Sequence, residues 1–260
     1  MELVIIGFVA CLVSGLTLFS GFGLGTVLTP VFALFFPVPL AVAATAVVHF
    51  VNNLFKLGLM ARQADWRVVA RFGVPVAIAA IAGASLLSWI DEIPVLWHYT
   101  LGGNNHEITV VKSVIGALII VFALLELSSR FQAVALPERY LPLGGVLSGF
   151  FGGLSGNQGA LRSAFLIKAG LAKNAFVATG VVSTVLVDAV RPTVYGTSFL
   201  AEHLARSQEL VLPVVVGAVS AFLGTYLGSR FLRKVTLRTV QIMVAMMMLV
   251  IGFGLTFGLV

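Results

Sequence analysis

The chain has 260 residues, of which 59% are hydrophobic and only 10% charged. Soluble domains carry about 25% charged residues, so this composition excludes a soluble enzyme or binding module and points to a polytopic membrane protein. The formal net charge of +6 does not signal nucleic acid, because the basic residues lie between apolar segments and form no basic tail.

Met1-Glu2-Leu3 lacks a basic leader and no clear cleavage site follows, so the first apolar stretch is expected to be retained. The single cysteine, Cys11, can form no internal disulfide and fits no metal spacing. A helix crosses a bilayer with about 20 apolar residues. Residues 3–36 are too long for one crossing and are interrupted by Ser20-Gly21-Phe22-Gly23-Leu24-Gly25. Spans are predicted over 38–60, 69–89 and 110–127. Residues 140–171 repeat the long, broken pattern, now around Ser155-Gly156-Asn157-Gln158-Gly159. Spans over 174–197, 209–232 and 236–259 complete the chain. No ten-residue polar/apolar alternation runs through it, which argues against an outer-membrane barrel. The expected class is an all-α polytopic membrane protein.

Loop charges set the topology. Arg62, Arg67, Arg71, Arg130, Arg139, Lys168, Lys173, Arg230, Arg233, Lys234 and Arg238 hold most of the 16 basic residues. Positive loops stay in the cytoplasm. The loops with Asp91, Glu92, Glu107 and Lys112, and with Glu202, Arg206 and Glu209, are then external. Arg139 and Lys168 lie on the same side, so the segment between them crosses an even number of times. Residues 140–171 are therefore a re-entrant hairpin from the cytoplasm. By analogy, residues 3–36 form a hairpin from outside, which leaves both termini external.

Internal matches support the analogy: Ser14-Gly15 with Ser148-Gly149, Ala44-Thr45 with Ala178-Thr179, Ser20-Gly21 with Ser155-Gly156, and Pro75 with Pro213. Residues 1–130 and 131–260 read as two inverted-topology repeats in one membrane domain. Each is a glycine-broken re-entrant helical hairpin plus three transmembrane helices. Inverted repeats with broken helices are a secondary-transporter pattern. The small-residue runs 77–84 and 217–228 read as close-packing helix faces.

A broken helix cannot leave its freed backbone groups facing lipid, so the breaks must be buried or line a wet cavity. The N–H groups at the start of each second half-helix form a ready anion site. The expected cradle is Ser20, Gly21, Gly23 and Gly25 with Ser155, Gly156, Asn157, Gln158 and Gly159. Arg162, one turn into the second half-helix, is expected to supply charge; snorkelling or pairing with Asp188 is the alternative. His49, Asn52, Asn53 and Lys56 recur at helical spacing on the following span and are expected to share one face. Asn52, Asn53 and Arg191 are further binding candidates. Asp188 and Arg191 can pair three residues apart, and Pro192 would kink their helix. His49, Lys56 and Asp188 are read as coupling or structural charges, and Lys56 is near enough to its span's end to snorkel. Nothing calls for a cofactor or a metal, including His98, His106 and Glu107. The expected partners are a small anion and the bilayer; proton coupling through His49 and a homodimer stay open.

The glycine clusters, with Thr29-Pro30 after the first, resemble those of the TauE/SafE sulfite exporters over both halves of the chain. The first cluster reads Gly-Phe-Gly-Leu-Gly rather than a glycine run, and Arg162-Ser163-Ala164 stands where a proline is usual. The resemblance implies export of sulfite, a sulfonate or another organosulfur anion across a bacterial inner membrane. Two other readings stay open. One is a passive anion channel. The other rests on Gly153-Leu154-Ser155-Gly156, which matches the GxSG motif of rhomboid intramembrane proteases; that chemistry needs a histidine beside Ser155, and only His203, in a predicted external loop, follows it.

Overall fold

The computed structural model describes residues 1–17, 24–202, 204–231 and 237–259. Among the described residues the α-helices, in chain order, are α1 (Glu2–Thr17), α2 (Leu24–Ala33), α3 (Val38–Met60), α4 (Trp66–Val68), α5 (Val74–Asp91), α6 (Val110–Leu127), α7 (Ser129–Gln132), α8 (Leu141–Ser155), α9 (Gly159–Leu166), α10 (Lys173–Glu202), α11 (Leu204–Phe231) and α12 (Leu237–Thr256). Five stretches are long and apolar enough to cross a membrane: Val38–Gln63, Trp66–Asp91, Val110–Leu127, Asn174–Gly196 and Glu209–Gly228. The protein is an all-α polytopic membrane protein.

Local chemistry sets the helix ends. Pro39 opens α3, where its missing N–H costs nothing. Thr109 caps α6 by accepting from the Lys112 N–H, at 3.1 Å. Asp65 caps α4 by accepting from the N–H groups of Arg67 and Val68. The Asp65 N–H in turn donates to Thr179 Oγ1 at 3.0 Å, which ties this turn to α10. Between α4 and α5 the chain makes one π-helical turn, Val69–Gly73, just ahead of Pro75. Proline cannot donate into the preceding turn, and a π-turn absorbs the mismatch. Arg67 and Arg71 are thus helical, although the sequence reading put them in a loop. Pro192 lies inside α10 without ending it.

The predicted external loop after α5 contains a β-hairpin rather than irregular chain. Strands β1 (Trp97–Leu101) and β2 (Asn104–Ile108) pair antiparallel, with Trp97 opposite Ile108 and Tyr99 opposite His106. Gly102 and Gly103 make the turn at φ 61 and 83, the left-handed conformation a two-residue hairpin requires. Its Tyr99 hydroxyl donates to the Phe257 carbonyl, which docks the hairpin on the end of α12.

The bundle is apolar on its surface and holds a buried polar cluster within its apolar core. Val4, Phe8, Ile78, Val121, Val215, Val219, Met246 and Val250 are exposed, while Ser14, Thr45, His49, Asn53, Thr184, Asp188 and Arg191 are buried. Lipid as the outer solvent explains the exposed apolar surface. Helices pack as α1 on α11, α5 on α8, α6 on α12 and α3 on α10. Glycines bring backbones into contact at three of these pairs. A Cβ on Gly145, Gly149 or Gly153 of α8 would strike the carbonyls of Phe72, Val76 and Ala80 respectively. A Cβ on Gly224 of α11 would strike the Cys11 carbonyl, and one on Gly116 would strike α12 at Gly252 and Thr256. In lipid, where apolar burial between helices gains little, close backbone approach supplies the packing energy. The small-residue runs at 77–84 and 217–228 serve this purpose.

Gly149→Val and Gly224→Val are expected to destabilise the bundle by at least about 1–3 kcal/mol, the usual cost of overpacking. Gly58→Ala, where an added Cβ meets nothing within 4 Å, is expected to be neutral. Thermal unfolding in detergent checks both; wild-type melting of Gly149→Val would contradict the packing argument.

Candidate functional site

The break between α8 and α9 meets the start of α2 inside the bundle. Helix α8 ends at Gly156, left-handed at φ 81, whose N–H returns to the Gly152 carbonyl at 2.9 Å. Helix α9 starts three residues later at Gly159. The first half's counterpart, α2, starts at Leu24. A Cβ on Gly25 would lie 3.6 Å from the Gly156 carbonyl oxygen, 3.7 Å from Thr45 and 3.8 Å from His49. The start of α2, the end of α8 and the middle of α3 thus converge. Ser20, Gly21 and Gly23 lie outside the described residues.

Arg191 of α10 reaches this crossing. It is 1% exposed. Its guanidinium nitrogens lie 3.0 and 3.3 Å from where a Cβ on Gly156 would sit, a tight approach at a position whose left-handed backbone already favours glycine. Its Nη2 donates to the Val42 carbonyl at 3.4 Å, and its Nη1 lies 3.8 Å from Asp188 Oδ1. The Tyr195 ring lies 5.8 Å away, and the Tyr195 hydroxyl donates to the Gly153 carbonyl, which anchors the end of α8 to α10.

Asp188, fully buried, is the hub. Its Oδ2 takes His49 Nδ1 at 2.7 Å and Asn53 Nδ2 at 2.8 Å. For His49 to donate, the proton must sit on Nδ1. This cluster joins α3 to α10.

Asn52 and Asn53 part company. Asn52 Nδ2 donates to Ser14 Oγ at 3.2 Å, and Thr225 Oγ1 donates to Asn52 Oδ1 at 3.0 Å. Ser14 and Thr225 meet at 2.6 Å. The predicted shared face therefore splits: neighbouring helix residues are about 100° apart, so Asn52 pins α1 and α11 to α3 while Asn53 faces Asp188.

Arg162 is not at the tip. Its Nη1 donates to Thr184 Oγ1, and its Nε lies 3.4 Å from where a Cβ on Gly180 would sit. It lies along α10, one turn before Asp188. Lys56 does not snorkel; it is 8% exposed. Ser155 Oγ donates to the Phe151 carbonyl at 3.0 Å and accepts from Asn157 Nδ2 at 3.2 Å. Among the described residues no histidine bonds it, and His203 lies outside them.

Buried polar atoms with no hydrogen-bond partner among the described residues include Thr29 Oγ1, Thr45 Oγ1, Ser148 Oγ, Asn157 Oδ1, Gln158 Oε1, Asp188 Oδ1 and Arg191 Nε. Buried polar groups are normally satisfied, and of these residues Thr45, Asn157, Gln158, Asp188 and Arg191 lie on the elements that converge near Gly156. Thr29, Thr45 and Tyr195 escaped the sequence reading. Tyr195 follows Arg191 by four residues, the spacing that puts both on one face. Thr45 stood in the internal match with Thr179. Among the described residues no group of three or more His, Cys, Asp or Glu side chains could hold a metal ion.

Helix ends that converge on a buried arginine, inside a bundle with an apolar surface, mark the candidate site of a multi-pass membrane protein. The sulfite exporter TauE/SafE family model matches residues 3–255, and the chain belongs to that family. This is a family of membrane transporters, not enzymes. No curated protein and no solved structure matches the chain.

Asp188→Ala removes the partner of a buried arginine and is expected to cost about 3–5 kcal/mol. Asn52→Ala is expected to cost about 1–3 kcal/mol, by leaving buried hydroxyls short of a partner, and to leave anion affinity unchanged. Melting curves and binding measured on the same samples test this; an Asn52→Ala protein of full stability but lost binding would reverse the assignment.

Proposed function

We propose that this protein is a secondary transporter that exports a small sulfur oxyanion, sulfite or a small sulfonate, by alternating access at the crossing of the two hairpin tips. The carrying observation is Arg191: a fully buried guanidinium against the end of α8, with its Nε and, close by, Thr45 Oγ1, Asn157 Oδ1, Gln158 Oε1 and Asp188 Oδ1 without hydrogen-bond partners among the described residues. A guanidinium holds an oxyanion through parallel hydrogen bonds. The first N–H groups of α2 and α9 add two partial positive charges beside it.

The packing supports a reading as two inverted repeats, residues 1–130 and 131–260. Helix α1 lies on α11 as α8 lies on α5, while α3 meets α10 and α6 meets α12, each with its counterpart. In such folds the site lies near the bilayer midplane where the repeats meet. The basic loops would face the cytoplasm of a bacterial inner membrane, with both termini in the periplasm. An interior-negative potential drives an anion outward by about 2.3 kcal/mol per charge per 100 mV. Proton coupling would run through the His49–Asp188 pair.

Proteoliposomes loaded with labelled sulfite or methanesulfonate are expected to give saturable counterflow in wild type. Arg191→Gln is expected to reduce it at least about tenfold, in line with the cost of truncating a buried charged contact. Absent counterflow of either anion by folded wild type contradicts the reading, and unitary currents in a planar bilayer would make the protein a pore.

A further inference from the structure

The buried atoms left without a partner near Gly156 are of two kinds. Arg191 Nε can only donate, and the Thr45 hydroxyl can donate. The oxygens Asp188 Oδ1, Asn157 Oδ1 and Gln158 Oε1 accept and have no donor among the described residues. All of these residues are buried. A fully deprotonated oxyanion brings acceptors alone. It would satisfy Arg191 Nε and the Thr45 hydroxyl, and it would leave the carbonyl and carboxylate oxygens unpaired.

Asp188 sets the sharpest demand. Its Oδ2 takes His49 Nδ1 at 2.7 Å and Asn53 Nδ2 at 2.8 Å, while its Oδ1 takes no hydrogen bond among the described residues. Oδ1 lies 3.8 Å from Arg191 Nη1, too far for a hydrogen bond and near enough for one small group to touch both. A bare oxyanion on this guanidinium would meet Oδ1 lone pair to lone pair, and like charges repel strongly away from water. A donor on the anion turns that repulsion into a hydrogen bond. Asn157 adds a second acceptor. Ser155 Oγ gives its proton to the Phe151 carbonyl at 3.0 Å, so it accepts from Asn157 Nδ2, at 3.2 Å. That orients the amide with Nδ2 on Ser155 and Oδ1 unpaired, one residue after the Gly156 turn that the Arg191 guanidinium approaches.

We propose that the crossing takes its oxyanion in a hydrogen-bearing form: a monoanion with an O–H or N–H on the sulfur group, its oxygens on Arg191 and its donor on Asp188 Oδ1. This rests on the reading of the crossing as an anion site. Hydrogensulfite with its proton on oxygen fits the description, and the doubly charged sulfite ion does not. Arg191 selects for negative charge, and Asp188 selects against anions that lack a donor. A site discriminates strongly in this way because the wrong ligand leaves its buried polar atom unpaired. Asp188 thus determines specificity as well as holding α3 against α10.

Sulfamate and methanesulfonate separate charge from donor. Both are compact sulfur monoanions, and they differ only by an amino group against a methyl group. Calorimetric titration of the detergent-purified protein with each, and with sulfite, at neutral pH gives the affinities. Wild type is expected to bind sulfamate at least about tenfold more tightly than methanesulfonate, the cost of leaving a buried acceptor unpaired. Asp188→Asn keeps an oxygen for His49 and Asn53 and can turn its amide N–H to the crossing, so it is expected to abolish or reverse that preference. Monodisperse elution confirms folding, and the wild-type comparison decides the donor requirement without the variant. Equal affinities in wild type, tighter methanesulfonate, or sulfite binding without sulfamate binding overturns the requirement and leaves the anion site standing. A sulfamate preference kept by folded Asp188→Asn overturns the role of Asp188. None of the three anions bound by folded wild type contradicts the anion reading of the crossing itself.

Discussion

A carboxylate sealed from water has to be held by protein, and Asp188 is held by both halves of the chain. His49 and Asn53 reach it from α3, and Arg191 from its own helix α10. A buried charge pair of this kind is no bargain in stability. What it does is set position: it brings the middle of α3 against the middle of α10 and points Arg191 at the left-handed turn of Gly156. Lacking a Cβ, Gly156 lets that guanidinium approach closely. The convergence of Gly25, Thr45 and His49 on the same point depends on this contact.

Around that polar centre, the pairs α1–α11 and α5–α8 are held by backbone-to-backbone contact at glycines. Such interfaces resist deformation, because a densely packed contact has no slack to shear. The centre is different. It is built from side-chain hydrogen bonds and from half-helices of ten and eight residues, α2 and α9. Tight helix pairs carrying short, broken elements between them form a frame in which a small site can open without the bundle losing its packing.

The spans could be read from sequence because lipid leaves so few choices. The bounds predicted for 38–60 and 110–127 coincide with α3 and α6, where proline and the Thr109 and Ser128 caps punctuate apolar runs. The break at 156–158 was readable from its glycines. The β-hairpin was missed because the stretch after Asp91 was judged by its charges, although Gly102-Gly103 between Thr-Leu and Asn-Asn is hairpin chemistry. The site itself divided along a clear line. Arg162 was favoured because it is close to the break along the chain, yet its side chain lies on α10. Arg191 is distant in sequence and arrives only through the α3–α10 contact. Asn52 and Asn53 are neighbours whose destinations differ by the helical turn between them, and only the partners Ser14, Thr225 and Asp188 reveal which is which. Thr29 and Thr45 stood in the sequence only beside the first glycine cluster and in the internal match; their hydroxyls without partners among the described residues mark them.

The central claim is that an oxyanion sits at the tip crossing against Arg191. The most direct measurement is a crystal structure grown with selenite, a heavier pyramidal oxyanion, with data collected at the selenium edge. The account predicts an anomalous peak between Gly156, Thr45 and the Arg191 guanidinium, within hydrogen-bonding distance of Nε. A crossing without a peak, while selenite appears elsewhere in the bundle, would contradict it.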